Sequence, residues 1–154
     1  MTNTQSIVLS RPVVDSSEHG ARLLADAYLD EIRRYTLGTV RSRVRHARVE
    51  LVLLWILPLF RFATPEIVAT PDRIECRYAI IGGALAKRSG GCLTIAQLFG
   101  SSPELYVTVE DYSPRLDSGR PRGGLRTLAY RLLQQPAHEA IGKRYLERMA
   151  ARSR

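Results

Sequence analysis

The period of the apolar positions changes several times along the chain, and each change predicts an element. Ser6 to Val14 alternates loosely through Ile7 and Leu9, which places a first strand within about residues 1–14. Asp15-Ser-Ser-Glu18 has the form of a capping box, with a side-chain oxygen for exposed N–H groups and an acid in the first turn. It predicts a helix within residues 15–38, because Leu24, Tyr28, Ile32 and Tyr35 follow at helical spacing and make one stripe. Gly38 is expected to end that helix by taking the left-handed conformation.

A strand period then predicts antiparallel strands over 39–112. Arg41, Arg43 and Arg45 alternate with Ser42 and Val44, so the three arginines share a sheet face. Val49 to Phe60 is apolar on both faces and reads as a strand covered on both sides, with Pro58 marking a bulge, an edge or an end. Glu66 to Thr70 and Arg73 to Ile80 predict a hairpin around Thr70-Pro71-Asp72. Its second arm sets Ile74, Cys76, Tyr78 and Ile80 inward and Arg73, Glu75 and Arg77 outward. Glycine pairs interrupt the next stretch before strands at Cys92 to Leu98 and through Leu105, Val107 and Val109, with Tyr106 and Tyr112 on the other face.

Residues 113–124, rich in Pro, Gly and Arg, predict a loop, and residues 125–151 predict a long helix. Its apolar surface comes from Leu125, Leu128, Leu132, Ile141, Tyr145, Leu146 and Met149, and Pro136 should kink or split it. The fold class is therefore α+β, a single domain over 1–154 with strands between an N-terminal and a C-terminal helix.

Composition narrows the function classes. A chain of 154 residues, 45% apolar and 25% charged, fits one globular domain with a real core. Cys76 and Cys92 make no disulfide framework, and two thiols without a signal peptide point to a cytoplasmic location. The run Val49 to Phe60 is too short, and too interrupted by Glu50 and Pro58, for a membrane span. The net charge is +8, and all 23 basic residues except Lys87 and Lys143 are arginine, spread over the whole chain. Charge raises general affinity for polyanions. Without a recognition helix, zinc finger or row of stacking aromatics, the sequence argues against nucleic acid as the partner.

Pro121-Arg-Gly-Gly-Leu125, Tyr130, Pro136, His138 and Ile141 follow a spacing that resembles the last helix of proteins in the SRPBCC superfamily, which includes START and polyketide cyclase-like proteins. The order of strand, helix, antiparallel strands and closing helix is similar too, although one clear N-terminal helix replaces the usual two short ones. The resemblance implies a helix-grip fold, a curved antiparallel sheet wrapped around the long C-terminal helix. It implies a hydrophobic cavity between them for a small apolar organic molecule. That function could be a cofactor-independent cyclase, dehydratase or isomerase, as in natural-product biosynthesis, or simple carriage of the ligand. Fold alone does not choose between them.

Tyr130, Gln134 and His138 recur every four residues along one helix side. Facing a cavity, Tyr130 and His138 would supply acid-base chemistry and Gln134 a ligand hydrogen bond; facing the backbone, all three would satisfy carbonyls around Pro136. Glu50, alone among apolar neighbours, is either a general base with a raised pKa or the partner of a nearby arginine. Trp55, Tyr78 and Ile141 are candidate cavity-lining residues, with plain core packing as the competing expectation. His19 and His46 lack partners at metal-ligand spacing, and no nucleophile or phosphate-loop motif occurs, so no metal or cofactor is expected. A second reading is a non-catalytic interaction module. It would be a homodimer through the apolar strand Val49 to Leu57, or a basic surface whose arginine rows hold an acidic partner. A lipocalin-like closed barrel is the third, set aside because the final helix is long and apolar around its circumference.

Overall fold

The computed structural model describes residues 2–84, 86, 90–110 and 135–154. Eight strands, β1 (Asn3–Val8), β2 (Val40–Arg45), β3 (Arg48–Leu53), β4 (Leu57–Phe62), β5 (Glu66–Ala69), β6 (Arg73–Gly82), β7 (Cys92–Leu98) and β8 (Glu104–Glu110), pair antiparallel in one curved sheet. Helices α1 (Glu18–Tyr35) and α2 (Gln135–Arg152) lie against it. The strand order is β1-β8-β7-β6-β4-β3-β2. The long strand β6 holds β5 along its first half and β4 at its far end, so the sheet changes neighbours along one strand.

The first strand stops at Val8, short of the expected Val14. Residues Val13 and Val14 instead belong to the connector to α1, and the buried Gln97 of β7 fastens it there. Its amide oxygen accepts from the Val13 N–H at 2.9 Å, and its amide nitrogen donates to the Val14 carbonyl at 3.0 Å. A buried amide with both ends satisfied fixes a loop without a polar penalty. The cap of α1 is Ser17 rather than Asp15: its hydroxyl accepts from the Gly20 N–H at 3.0 Å and donates to the Asp15 carboxylate.

At the other end of α1 the Gly38 N–H reaches back to the Arg33 carbonyl at 2.7 Å and the Leu37 N–H to Arg34 at 3.1 Å. This is a Schellman closure, and its left-handed residue is Leu37 (φ 53°), with Gly38 (φ 81°) following. Gly38 was expected to stand alone in that role.

The apolar run Val49 to Phe60 is two strands. It reverses at Leu54-Trp55-Ile56, where Leu53 pairs with Leu57 and both Leu54 and Trp55 have positive φ. Pro58 sits at the bulge between β3 and β4, one of the places proline tolerates in a sheet. The hairpin around Pro71-Asp72 forms as expected, and Ile74, Cys76, Tyr78 and Ile80 all face the core.

The core lies between the sheet and both helices. Leu24, Ile32, Leu53, Ile74, Ile95, Leu105, Ile141 and Tyr145 are among its buried side chains. Arg148 of α2 donates to the buried Glu31 of α1 at 2.8 Å, which joins the helices at their outer edge. Of the expected C-terminal helix 125–151, Leu125, Leu128 and Leu132 lie outside the described residues, as does Tyr112. Ile141, Tyr145, Leu146 and Met149 are buried. Pro136 falls in the first turn of α2, where a missing N–H costs nothing.

Candidate functional site

Inward-facing positions of five strands and two helices converge on one internal chamber. The helices contribute Tyr28 and Ile32 from α1, and His138 and Ile141 from α2. The strands contribute Leu51, Phe60, Phe62, Ile80, Leu93 and Val109. The chamber has a volume of about 30 Å³. Among the described residues its polar functions are the Tyr28 hydroxyl and the His138 imidazole, set in a wall of aliphatic and aromatic carbon.

His138 stands edge-on to Phe60, ring centroids 6.3 Å apart. Burial disfavours the imidazolium, so its pKa falls below the ordinary histidine value and the neutral ring prevails at pH 7. A neutral imidazole has one donor and one acceptor nitrogen, the form suited to accept a proton or polarise a carbonyl. Burial likewise pushes the Tyr28 phenol up to about 12, so it acts as a hydrogen-bond donor and not as an anion.

Of the sequence-expected residues, the structure brings His138 and Ile141 to the chamber. Tyr78 stands one ring behind it, packed against Phe62 at 5.7 Å between centroids, and its phenol is raised by burial. Tyr130 and Gln134 lie outside the described residues.

Glu50 and Trp55 are elsewhere. Glu50 alternates with Leu51, so it projects from the opposite face of β3. There it is 7% exposed between Arg43, bonded at 2.5 Å, and Arg61 at 3.4 Å, its cross-strand neighbours. The hydrogen bond from Arg43 holds the carboxyl below the ordinary glutamate range, opposite to the raised pKa that a general base would need. Trp55 is exposed at the β3–β4 turn, with the Arg41 guanidinium 5.3 Å from its ring.

Tyr28 is the residue that sequence reading left as plain helix packing. The available signal was its place on the apolar stripe of α1, since a tyrosine there must take its hydroxyl into the core. Of the two thiols, Cys76 is buried and raised by burial, while the half-buried Cys92 lies 3.7 Å from the Thr94 hydroxyl and beside the Arg77 guanidinium. Among the described residues no helix is long and apolar enough to cross a membrane.

No known family profile and no curated protein matches the chain. Among solved structures it is similar to a Thermus thermophilus protein at 20% identity and a TM-score of 0.47, each chain covered completely. An HSP90 activator from Plasmodium falciparum is similar at 13% identity and a TM-score of 0.43, over 88% of this chain and 89% of that one. Ara h 8.0201 is similar at 10% identity and a TM-score of 0.43, over 98% of both. At such identities and scores these likenesses say nothing about activity. The topology stands on the chain's own strand order and helix placement, and it is the helix-grip fold, a curved antiparallel sheet against a long C-terminal helix.

Proposed function

We propose that this domain binds a small apolar organic molecule between its sheet and its two helices. The observation that carries the reading is the chamber itself: an apolar wall with, among the described residues, two polar functions, both uncharged at neutral pH. Binding sites for organic molecules have this composition, many apolar contacts and a few polar groups that set orientation. At about 30 Å³ the chamber accommodates only water-sized occupants. An organic ligand needs roughly ten times that volume, so binding displaces side chains and opens the wall.

If the bound molecule reacts, His138 is the acid-base group and Tyr28 the hydrogen-bond donor. Such a pair suits cyclisation, dehydration or isomerisation of a carbonyl compound. Tyr130 and Gln134, eight and four residues before His138 in sequence, are proposed as a further acid-base group and a ligand contact, respectively. Glu50 and Trp55 have no part in this reading.

Native mass spectrometry of the purified protein, together with thermal shift against a panel of apolar compounds, tests it. The expected result is a retained or stabilising compound whose effect is lost in Leu93→Phe, which fills the chamber. His138→Gln should keep binding and lose any turnover. A protein that carries nothing and responds to no compound, or a response unchanged in Leu93→Phe, overturns the proposal.

A further inference from the structure

Two turns at one end of the sheet expose large apolar side chains in a backbone conformation that does not favour them. At the β3–β4 turn Leu54 is 43% exposed, Trp55 58% and Ile56 73%, and Leu54 and Trp55 have φ of 51° and 64°. At the end of α1, Leu37 is 93% exposed with φ 53°. Glycine, asparagine or aspartate would relieve both the left-handed strain and the exposure of carbon to water. Local stability therefore does not account for these residue types, and an outlier of this kind points to function.

The turns are one surface. The Leu54 N–H donates to the Thr39 carbonyl at 2.7 Å, which joins the β3–β4 turn to the segment leaving α1. Arg41 spans both: its Nε donates to the Gly38 carbonyl at 3.1 Å while its guanidinium lies 5.3 Å from the Trp55 ring. We propose that Leu37 and Leu54–Ile56, joined through Arg41, dock peripherally on an anionic lipid bilayer.

Size and charge favour this occupant. Four side chains make a patch of a few hundred Å², short of the about 800 Å² per partner of a stable protein interface. The patch consists of turn tips and not of a groove, so it can enter a soft surface. A tryptophan beside aliphatic side chains suits the headgroup boundary, and an adjacent guanidinium pairs with lipid phosphate. The net charge of +8 adds attraction to an anionic leaflet. The surface is separate from the chamber, and its test does not depend on a ligand there.

Trp55 is the only tryptophan of the chain, so its fluorescence reports on the patch directly. The probes are phosphatidylcholine vesicles with and without a quarter of phosphatidylglycerol. The expected result is a blue shift and co-sedimentation with the anionic vesicles alone, weakened by salt. Ile56→Ser and Leu37→Ser should each lower vesicle affinity about tenfold, and Arg41→Gln should lower it too. Val44→Ser, an exposed apolar site beside the opposite β2–β3 turn, should leave it unchanged. Circular dichroism checks that each variant is folded. Absence of a shift with anionic vesicles overturns the proposal, as does equal binding by Ile56→Ser, which would mean charge alone. A lipid-free blue shift that grows with protein concentration and doubles the mass would mean self-association and overturns it as well.

Discussion

The hydroxyl of Tyr145 on α2 donates to the backbone carbonyl of Leu24 on α1 at 3.0 Å. The same ring meets Tyr28 edge-on, centroids 5.3 Å apart and planes at 86°. One side chain therefore joins the two helices by a buried hydrogen bond and also backs the aromatic ring that lines the chamber. Removing the hydroxyl alone, in Tyr145→Phe, should cost about 1 kcal/mol. Removing the ring, in Tyr145→Ala, should cost about 3–5 kcal/mol, because the cavity would be only partly filled. Urea unfolding of both variants checks the pair, and comparable losses would disprove this division of roles.

Leu37 stabilises nothing that the described structure reveals, being exposed and left-handed. Leu37→Gly should raise stability by about 1 kcal/mol, since glycine removes the Cβ clash at this closure of α1. The same change should weaken vesicle binding. A variant that is no more stable than the parent would show that the left-handed turn is not strained.

Glu50 serves the sheet and not the chamber. Its folded pKa is depressed, chiefly by the Arg43 hydrogen bond, so it contributes stability that is present above the unfolded-state pKa near 4.5. That contribution is lost as pH falls through the lower folded-state pKa. Glu50→Gln should cost about 1–2 kcal/mol at pH 7 and remove this part of the acid sensitivity. It should leave ligand affinity unaltered. Denaturant midpoints between pH 7 and 3, parent against variant, give the comparison.

His138 is also depressed in the folded state, by burial. For histidine this means that the unfolded chain binds the proton more readily. Stability is therefore full above the ordinary pKa of about 6.5 and declines as pH drops below it. His138→Gln should flatten the stability profile from pH 6.5 down towards the folded pKa. A parent profile without any decline below pH 6.5 would be incompatible with a buried neutral imidazole. If the chamber proves catalytic, turnover should persist at neutral and higher pH, where the ring is unprotonated.

Much of the fold was legible because it follows from local periodicity. The hairpin around Pro71-Asp72 has its turn chemistry written in two adjacent residues, and Ile74, Cys76, Tyr78 and Ile80 of β6 turn to the core as their alternation predicts, while Glu75 on the other face is covered by Arg73 and Arg77. The buried stripe of α1 and the inward residues Ile141 and Tyr145 of α2 follow from helical spacing alone. His138 was read as a candidate from its four-residue spacing with Tyr130 and Gln134, and on α2 it shares a helix side with the buried Ile141.

The remaining misreadings share one physical origin, contact between residues distant in sequence. Val49 to Phe60 gives no turn signal: Leu54-Trp55-Ile56 lacks glycine, proline, asparagine and aspartate. Its reversal follows from the pairing of Leu53 with Leu57 and from β4 reaching β6. Trp55 consequently leaves the core for solvent. Glu50 could be a lone buried acid or a paired one until β2 and β4 brought Arg43 and Arg61 to its two sides.

By itself, then, the sequence determined most helix and strand segments among the described residues, the break at Leu54–Ile56 excepted, and which side of each seeks the core, because these depend on neighbours one to four residues away. The tertiary structure alone decided that Tyr28, His138 and the inner faces of five strands enclose one chamber. It alone decided that Glu50 is neutralised outside that chamber and that Leu37, Leu54, Trp55 and Ile56 remain in water. Those outcomes depend on strand register and on how two helices cross a curved sheet, and no local pattern encodes either.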